Sequence, residues 1–193
     1  MVYDVGRMRR RGHPGGKMKK GLIPMGRLSR KLREREFVDL TRELLDSEQV
    51  RMMGRWKHHG PVTTLDHSLF VAFSTYRVAR MLRLDVQAAV RGALLHDLYL
   101  YDSRDKSAHP GNQCFDHPRF AARNAAALTP LTDKERNIIL SHMWPLGGAL
   151  PRSLEAWMVD LVDTVCAGLE MSRVCRPSRL RERLGVRPLV SAC

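Results

Sequence analysis

Residues 85–98, Asp85-Val86-Gln87-Ala88-Ala89-Val90-Arg91-Gly92-Ala93-Leu94-Leu95-His96-Asp97-Leu98, decide how this chain is read. Asp85 is a helix-capping residue type, and Val86, Val90, Ala93 and Leu94 recur at helical spacing behind it. The apolar run then stops abruptly on an imidazole and a carboxylate. Polar groups at the end of a buried run are costly unless something satisfies them. Adjacent residues on a helix diverge by about 100°, so His96 and Asp97 do not share a face. At a helix end, however, the two side chains can bracket one ion from different sides.

Working outward, the same periodicity recurs on both flanks. Upstream, Leu28, Leu32, Phe37, Leu40, Leu44 and Leu45 mark an amphipathic helix beginning near Gly26. A short segment, Ser47 to Trp56, leads to His58-His59-Gly60-Pro61, which reads as a helix stop. Thr63 or Thr64 can cap a long helix to about Leu82, with Leu65, Leu69, Phe73 and Tyr76 along one face. Downstream, Tyr99 to Phe115 is rich in Asp, Pro, Gly and Asn and reads as a long loop, a length often associated with function. Asp116 is expected to cap a helix from His117-Pro118 to Leu128, with the proline in its first turn. Thr132-Asp133-Lys134-Glu135 has the form of a capping box for a helix ending near His142. Pro145, Gly147, Gly148 and Pro151 separate it from a last long helix, Ser153 to about Val174. No segment alternates with period two, so the expected fold is an all-α, compact helical bundle with a long loop after the His-Asp pair.

The expected organisation is a basic, disordered arm over 1–26, a helical domain over 27–175, and an unassigned basic tail over 176–193. Of the formal charge of +13 in 193 residues, much lies near the amino terminus, where twelve Arg and Lys precede position 37 against Asp4, Glu34 and Glu36. Such an arm reads first as a solvated tail, since no aromatic residues interleave with its charges as a base-stacking platform requires. Attraction of nucleic acid through counterion release is the alternative. Met18 and Met25 are later candidate starts. The 44% hydrophobic content is enough for a core, and no apolar run reaches the roughly 18 residues of a membrane span. The amino terminus does not read as a secretory signal. Four scattered cysteines, Cys114, Cys166, Cys175 and Cys193, form no C-x-x-C pair and suit a reducing cytoplasm, with Cys166 a small buried hydrophobe.

Eight histidines are present, and His13 in the arm looks incidental. His67, His96, His117 and His142 each fall inside or at the edge of a different helix. A lone helical histidine is more often a satisfied core or surface residue than a ligand. Here acids accompany them. His67 shares a face with Phe70, Val71, Ser74 and Val78, and Asp163 stands among Val159, Leu161, Val162 and Val165. A buried carboxylate without a counter-charge tends to protonate, whereas a divalent cation keeps it ionised. Imidazole with carboxylate suits Mn, Fe, Co, Ni or Zn better than Ca. His117 and His142 are open between a second metal site and substrate contact or helix capping.

The succession His67, Leu94-Leu95-His96-Asp97, His117-Pro118, His142 and Asp163 resembles the HD-domain superfamily of metal-dependent phosphohydrolases. The likeness runs from His59-Gly60 to Glu170, and is nearest to small bacterial HD-domain proteins with a long loop after the His-Asp pair. Arg91-Gly92-Ala93-Leu94-Leu95-His96-Asp97 and His142-Met143-Trp144-Pro145-Leu146 carry it most specifically. The resemblance implies His67, His96, Asp97 and Asp163 as metal ligands, with Asp160, one helical turn before, as the near alternative to Asp163. His117 and His142 match positions that bind a second ion in binuclear members, so one or two divalent transition-metal ions are implied. No counterpart in the family is evident for His109 or Gln113.

The implied reaction is hydrolysis of a phosphate ester, on a nucleotide or another phosphorylated metabolite, by water activated at the metal. Asp97 is then both ligand and the group that orients or deprotonates that water. Arg91, Arg104, Lys106 and Arg119 are the basic residues nearest the site in sequence, although each taken singly reads as ordinary surface charge. Two rivals remain at this stage. One is a di-iron oxygenase of the same superfamily. The other is a non-catalytic nucleotide- or RNA-binding regulatory module anchored by the basic arm.

Overall fold

A computed structural model describes residues 29–58, 60–107 and 111–189. The basic arm 1–26, His59, His109 and Cys193 lie outside the described residues. Among these residues the secondary structure is helical, apart from an isolated antiparallel bridge between Lys57 and Thr63.

Side-chain caps start most of the helices. Ser29 precedes α1 (Arg30–Leu45), and Ser47 precedes α2 (Glu48–Met52), which tightens into a 3-10 turn over Met53–Arg55. Thr63 caps α3 (Thr64–Leu82), and Asp85 caps α4 (Val86–Leu95). α6 (Asp133–Ser141) begins with the expected capping box, in which Thr132 and Glu135 satisfy each other's backbone N–H groups. Ser153 caps α7 (Leu154–Met171). Each cap accepts a hydrogen bond from an N–H that the helix itself leaves without a partner, worth about 1 kcal/mol.

Three segments depart from the expectation. α5 (Gln113–Leu128) begins four residues before His117: Asn112, and not Asp116, is its cap, accepting from the Cys114 N–H at 2.9 Å. Pro118 therefore lies in the second turn and leaves the Cys114 carbonyl without its helical N–H donor. The helix over 153–174 ends sooner, at Met171. Within the tail, Pro177–Leu184 forms α8, stopped at Gly185 in the left-handed region (φ 70°). α8 packs on α3, burying Leu180, and Arg181 Nε donates to Asp66 Oδ1 at 2.6 Å.

α3 is the axis of the bundle, with α4, α7 and α8 packed around it. The core joins Phe37, Leu44, Leu65, Leu69, Tyr76, Val90, Leu94, Ile138 and Val159, and burying each large side chain contributes about 1.5–3 kcal/mol. Gly92 decides how closely α4 meets α6. A Cβ at this position would fall 2.7 Å from Ile138 Cγ2 and 2.9 Å from its Cβ, so a side chain here would push the two helices apart. α1 is fixed to α3 by Glu36, which accepts from Tyr76 Oη at 2.8 Å and from Arg80 Nη1 at 2.6 Å. No helix among the described residues is long and apolar enough to cross a membrane.

Candidate metal centre

The packing turns three helices and the C-terminal ends of two more toward one point. His67 lies in the first turn of α3, His96 caps the C-terminus of α4, His117 is in the second turn of α5, His142 caps the C-terminus of α6, and Asp163 is in the middle of α7. Asp97 follows α4 in a turn held by the buried Leu98, whose carbonyl accepts from Asn124 Nδ2 at 2.7 Å. All six side chains are buried.

Hydrogen bonding fixes which ring nitrogen each histidine presents. His96 Nδ1 is 2.7 Å from the Ala93 carbonyl, and His142 Nδ1 is 2.8 Å from the Ile139 carbonyl. Both are the same local device, a C-cap imidazole folding back on the carbonyl three residues earlier. His117 Nδ1 is 2.6 Å from the Gln113 carbonyl, and His67 Nδ1 is 3.0 Å from the Glu170 carboxylate. These oxygens accept, so each Nδ1 carries a proton and Nε2 is the nitrogen turned to the interior, where it can give its lone pair to a cation once its own proton is released. Backbone and carboxylate partners of this kind are what orient metal-binding imidazoles.

The four Nε2 atoms divide around Asp97. Its Oδ2 faces His96 Nε2 at 3.6 Å and His67 Nε2 at 3.9 Å. Its Oδ1 faces His117 Nε2 at 3.4 Å and His142 Nε2 at 3.7 Å. On the first side stands Asp163, with Oδ1 2.9 Å from His67 Nε2 and 3.6 Å from His96 Nε2. Ligand atoms of His67, His96 and Asp163, and those of His96, Asp97 and His142, lie close enough together to hold a metal ion.

Two features show that the cluster suits a cation. His96 Nε2 is fully buried with no hydrogen-bond partner, since 3.6 Å to either carboxylate is beyond hydrogen-bond reach. On the other side His117 Nε2 and His142 Nε2 are 2.8 Å apart. Two lone pairs repel at that distance unless a proton or a cation lies between them. The C-termini of α4 and α6 also bring the negative ends of two helix dipoles to this point.

The electrostatics agree. Burial opposes the charged form of His67, yet hydrogen bonds to Asp163 and Glu170 outweigh it and push its pKa up to about 10. His96 is likewise raised against its burial by the charges of Asp97 and Asp163. His142 is pushed down to about 3 by burial and by the nearby His96 and His117. Asp97, despite burial, is held well below the usual carboxylate range by His96, His58, His117 and His142. Asp163 is lowered too, by His96 and by its bond to His67. Without a metal, imidazole protons supply the positive charge the two carboxylates demand, and a divalent ion would replace them.

Asp160, the alternative to Asp163, is absent from these groups. Burial and the charge of Asp163 raise it to about 6, and its Oδ1 is buried without a hydrogen-bond partner. Two residues escaped the sequence reading. His58, read only as part of a helix stop, stacks on His67 with centroids 4.2 Å apart and places Nδ1 3.6 Å from Asp97 Oδ2. Nothing in its loop context distinguishes it. Glu170, which holds His67, lies seven residues after Asp163, two turns along the same helix face. That spacing was a usable signal.

A pocket of about 420 Å³ opens beside Asp97, walled by Tyr99, Met143, Trp144, Leu146, Ala167 and Met171. Ser103, Gln113 and Thr164 add uncharged polar groups to its lining. None of the four basic residues nominated for phosphate binding lines it. Arg91 is instead taken up elsewhere, donating to Glu135 Oε1 at 2.6 Å, Thr129 Oγ1 at 3.1 Å and the Pro130 carbonyl. Arg104 is turned onto Asp102, while Lys106 and Arg119 are exposed. They were chosen by proximity in sequence, which helix packing does not preserve.

Fold and site together define a class: an all-helical protein whose helix ends gather a buried His/Asp cluster able to hold divalent metal. The chain belongs to the HD-domain family, whose model, described as HD domain, matches residues 64–168, more than half of its length. That superfamily consists mostly of metal-dependent hydrolases. No curated protein and no solved structure matches the chain. His58 and Glu170 both fall outside the matched stretch.

Proposed function

We propose that this chain is a metal-dependent phosphohydrolase that cleaves a phosphate ester on a small phosphorylated molecule. The observation that carries this reading is the convergence of four oriented Nε2 atoms on Asp97 and Asp163. His67, His96, Asp97 and Asp163 would hold one divalent transition-metal ion. His117 and His142, with the second oxygen of Asp97, would hold another. Such ions lower the pKa of water and stabilise charge on phosphoryl oxygens.

The remaining chemistry belongs to the side chains. Asp97 stays ionised at neutral pH, because its histidine neighbours hold it below the usual carboxylate range. It therefore accepts a hydrogen bond from the attacking water and orients it toward phosphorus. Glu170 keeps His67 in the tautomer that points Nε2 inward. Tyr99, whose hydroxyl is within 3.4 Å of His58 Nδ1 and 3.3 Å of Thr64 Oγ1, closes one side of the pocket and limits water there.

Metal content and hydrolysis of phosphate esters by purified protein, beside Asp97→Ala, test the proposal. Two transition-metal ions per chain with hydrolysis, both lost in the variant, is the expected result. Absence of bound metal after reconstitution with Mn, Fe, Co, Ni or Zn would overturn it.

A further inference from the structure

The pocket's charge is confined to one end. Asp97, Asp163, His58, His117 and His142 stand on the side of the candidate metal centre. The rest of the lining is mostly apolar, with Met143, Trp144, Leu146, Ala167 and Met171 beside the uncharged Ser103, Gln113 and Thr164, and among the described residues no lysine or arginine lines the pocket. Leu146 and Met171 are 60% and 64% exposed at this wall, which leaves apolar surface in water beside the opening. Thr164, one of the few polar groups there, already donates its hydroxyl to the Asp160 carbonyl at 3.0 Å.

A phosphate seated at the centre would have its charge met by divalent ions and imidazoles. A second anionic group on the same molecule would find no cationic side chain in the described lining, only a few uncharged polar groups among apolar ones. An anion leaving water for such a surface without a partner is strongly disfavoured. An apolar chain or ring in the same place gains roughly 25 cal/mol per Å² of surface removed from water. The volume of about 420 Å³ falls within the range of small-molecule sites.

We propose that the substrate is a phosphomonoester of an uncharged, largely apolar alcohol, held by a single phosphate, and that chains of phosphates are poor substrates. The proposal rests on the phosphohydrolase reading. Hydrolysis exchanges the alcohol–phosphorus bond for one from water, with the proton passing to the departing alkoxide, so the products are the free alcohol and inorganic phosphate.

The test uses the full chain reconstituted with metal, with a pair of alkyl phosphates of matched leaving group and ATP as the intrinsically more reactive chain of phosphates. n-Hexyl phosphate is compared with its ω-carboxylate analogue and with ATP for kcat/KM. The corresponding non-hydrolysable n-hexylphosphonate and its ω-carboxylate are compared by calorimetry for Kd. We expect the apolar member to be favoured at least tenfold in both measurements. Leu146→Lys, at an exposed position and with an unchanged unfolding temperature, should narrow or invert that preference.

Equal or better use of ATP or of the ω-carboxylate would overturn the substrate class while leaving the hydrolase reading intact. Metal binding without turnover would count against the hydrolase reading, and the phosphonate pair would still decide the pocket's preference. Equal phosphonate affinities would sink the proposal by themselves.

Discussion

Arg91, within α4, and Asp97, just after it, stand six residues apart, yet they belong to two opposite kinds of polar network. Around Arg91 the buried carboxylate is answered inside the protein. Glu135 accepts from its Nε, Thr129 and Pro130 accept from its Nη2, and Glu135 also completes the capping box of α6. Around Asp97 the demand is left open. Four imidazoles have committed Nδ1 to fixed acceptors, one Nε2 has no partner, and two others face each other at 2.8 Å. A closed network holds helices together; an open one of matching geometry asks for a cation. Burial alone does not tell them apart, because Glu135 is as buried as the carboxylates of the cluster.

Breaking the open network should give the largest effect on function. Asp97→Asn keeps the shape but removes the charge facing both histidine pairs. Metal occupancy measured by elemental analysis should fall to below one ion per chain, and hydrolysis should fall about 10³-fold or more, several kcal/mol of lost stabilisation. Arg91→Ala, in the closed network, should do the reverse. It strands Glu135, which is nearly fully buried, and should cost about 3 kcal/mol in denaturant unfolding while leaving metal stoichiometry unchanged. If Arg91→Ala instead emptied the metal centre, the division between the two networks would fail.

Glu170→Gln sharpens the comparison at one contact. The amide can still accept from His67 Nδ1 but no longer carries charge, so metal affinity by competition titration should drop 10-fold or more with the fold intact. Glu170→Ala should lose more than the glutamine variant.

The pH response follows from His67. In the metal-free protein its pKa is raised from the ordinary 6.5 to about 10, so its pairing stabilises the fold fully below 6.5 and that contribution is lost as pH rises through about 10. Metal needs the same Nε2 lone pair. Metal affinity should therefore climb with pH between 6.5 and about 10, roughly tenfold per unit for each proton released. A flat profile would mean His67 is not a ligand.

The smallest effect belongs to Asp160, whose pKa is raised to about 6. Its ionised form is disfavoured in the folded state, so Asp160→Asn should stabilise the protein slightly at neutral pH, by about 1 kcal/mol after allowance for its partial exposure. The gain should vanish in acid, where the carboxyl is protonated in both folded and unfolded states.

Much of the fold was legible in the chain, because caps and apolar spacing are local. Thr63, Asp85, Thr132 and Ser153 each begin the helix expected of them. α5 was misplaced because Asn112 and Asp116 are both good caps, and Pro118 favoured the later one. α8 was missed because it is only eight residues long and strongly basic, so its apolar face rests on Leu180 and Leu184 alone, and it is held by contacts with α3.

The sequence by itself determined most of the helices and supplied the six residues of the cluster: His67, His96, Asp97 and Asp163 stand within or at the end of apolar runs, and His117 and His142 came with the resemblance to the HD domain. Only the tertiary structure decided how they meet: that Asp97 presents one oxygen to each histidine pair, that Asp163 and not Asp160 faces His67, and that His58 and Glu170 join them. It also decided that the nominated arginines and lysine do not line the pocket. The physical reason is that a side chain's type and helical phase are written locally, whereas the direction in which a helix end points is set by packing against distant residues, as Gly92 against Ile138 sets α4.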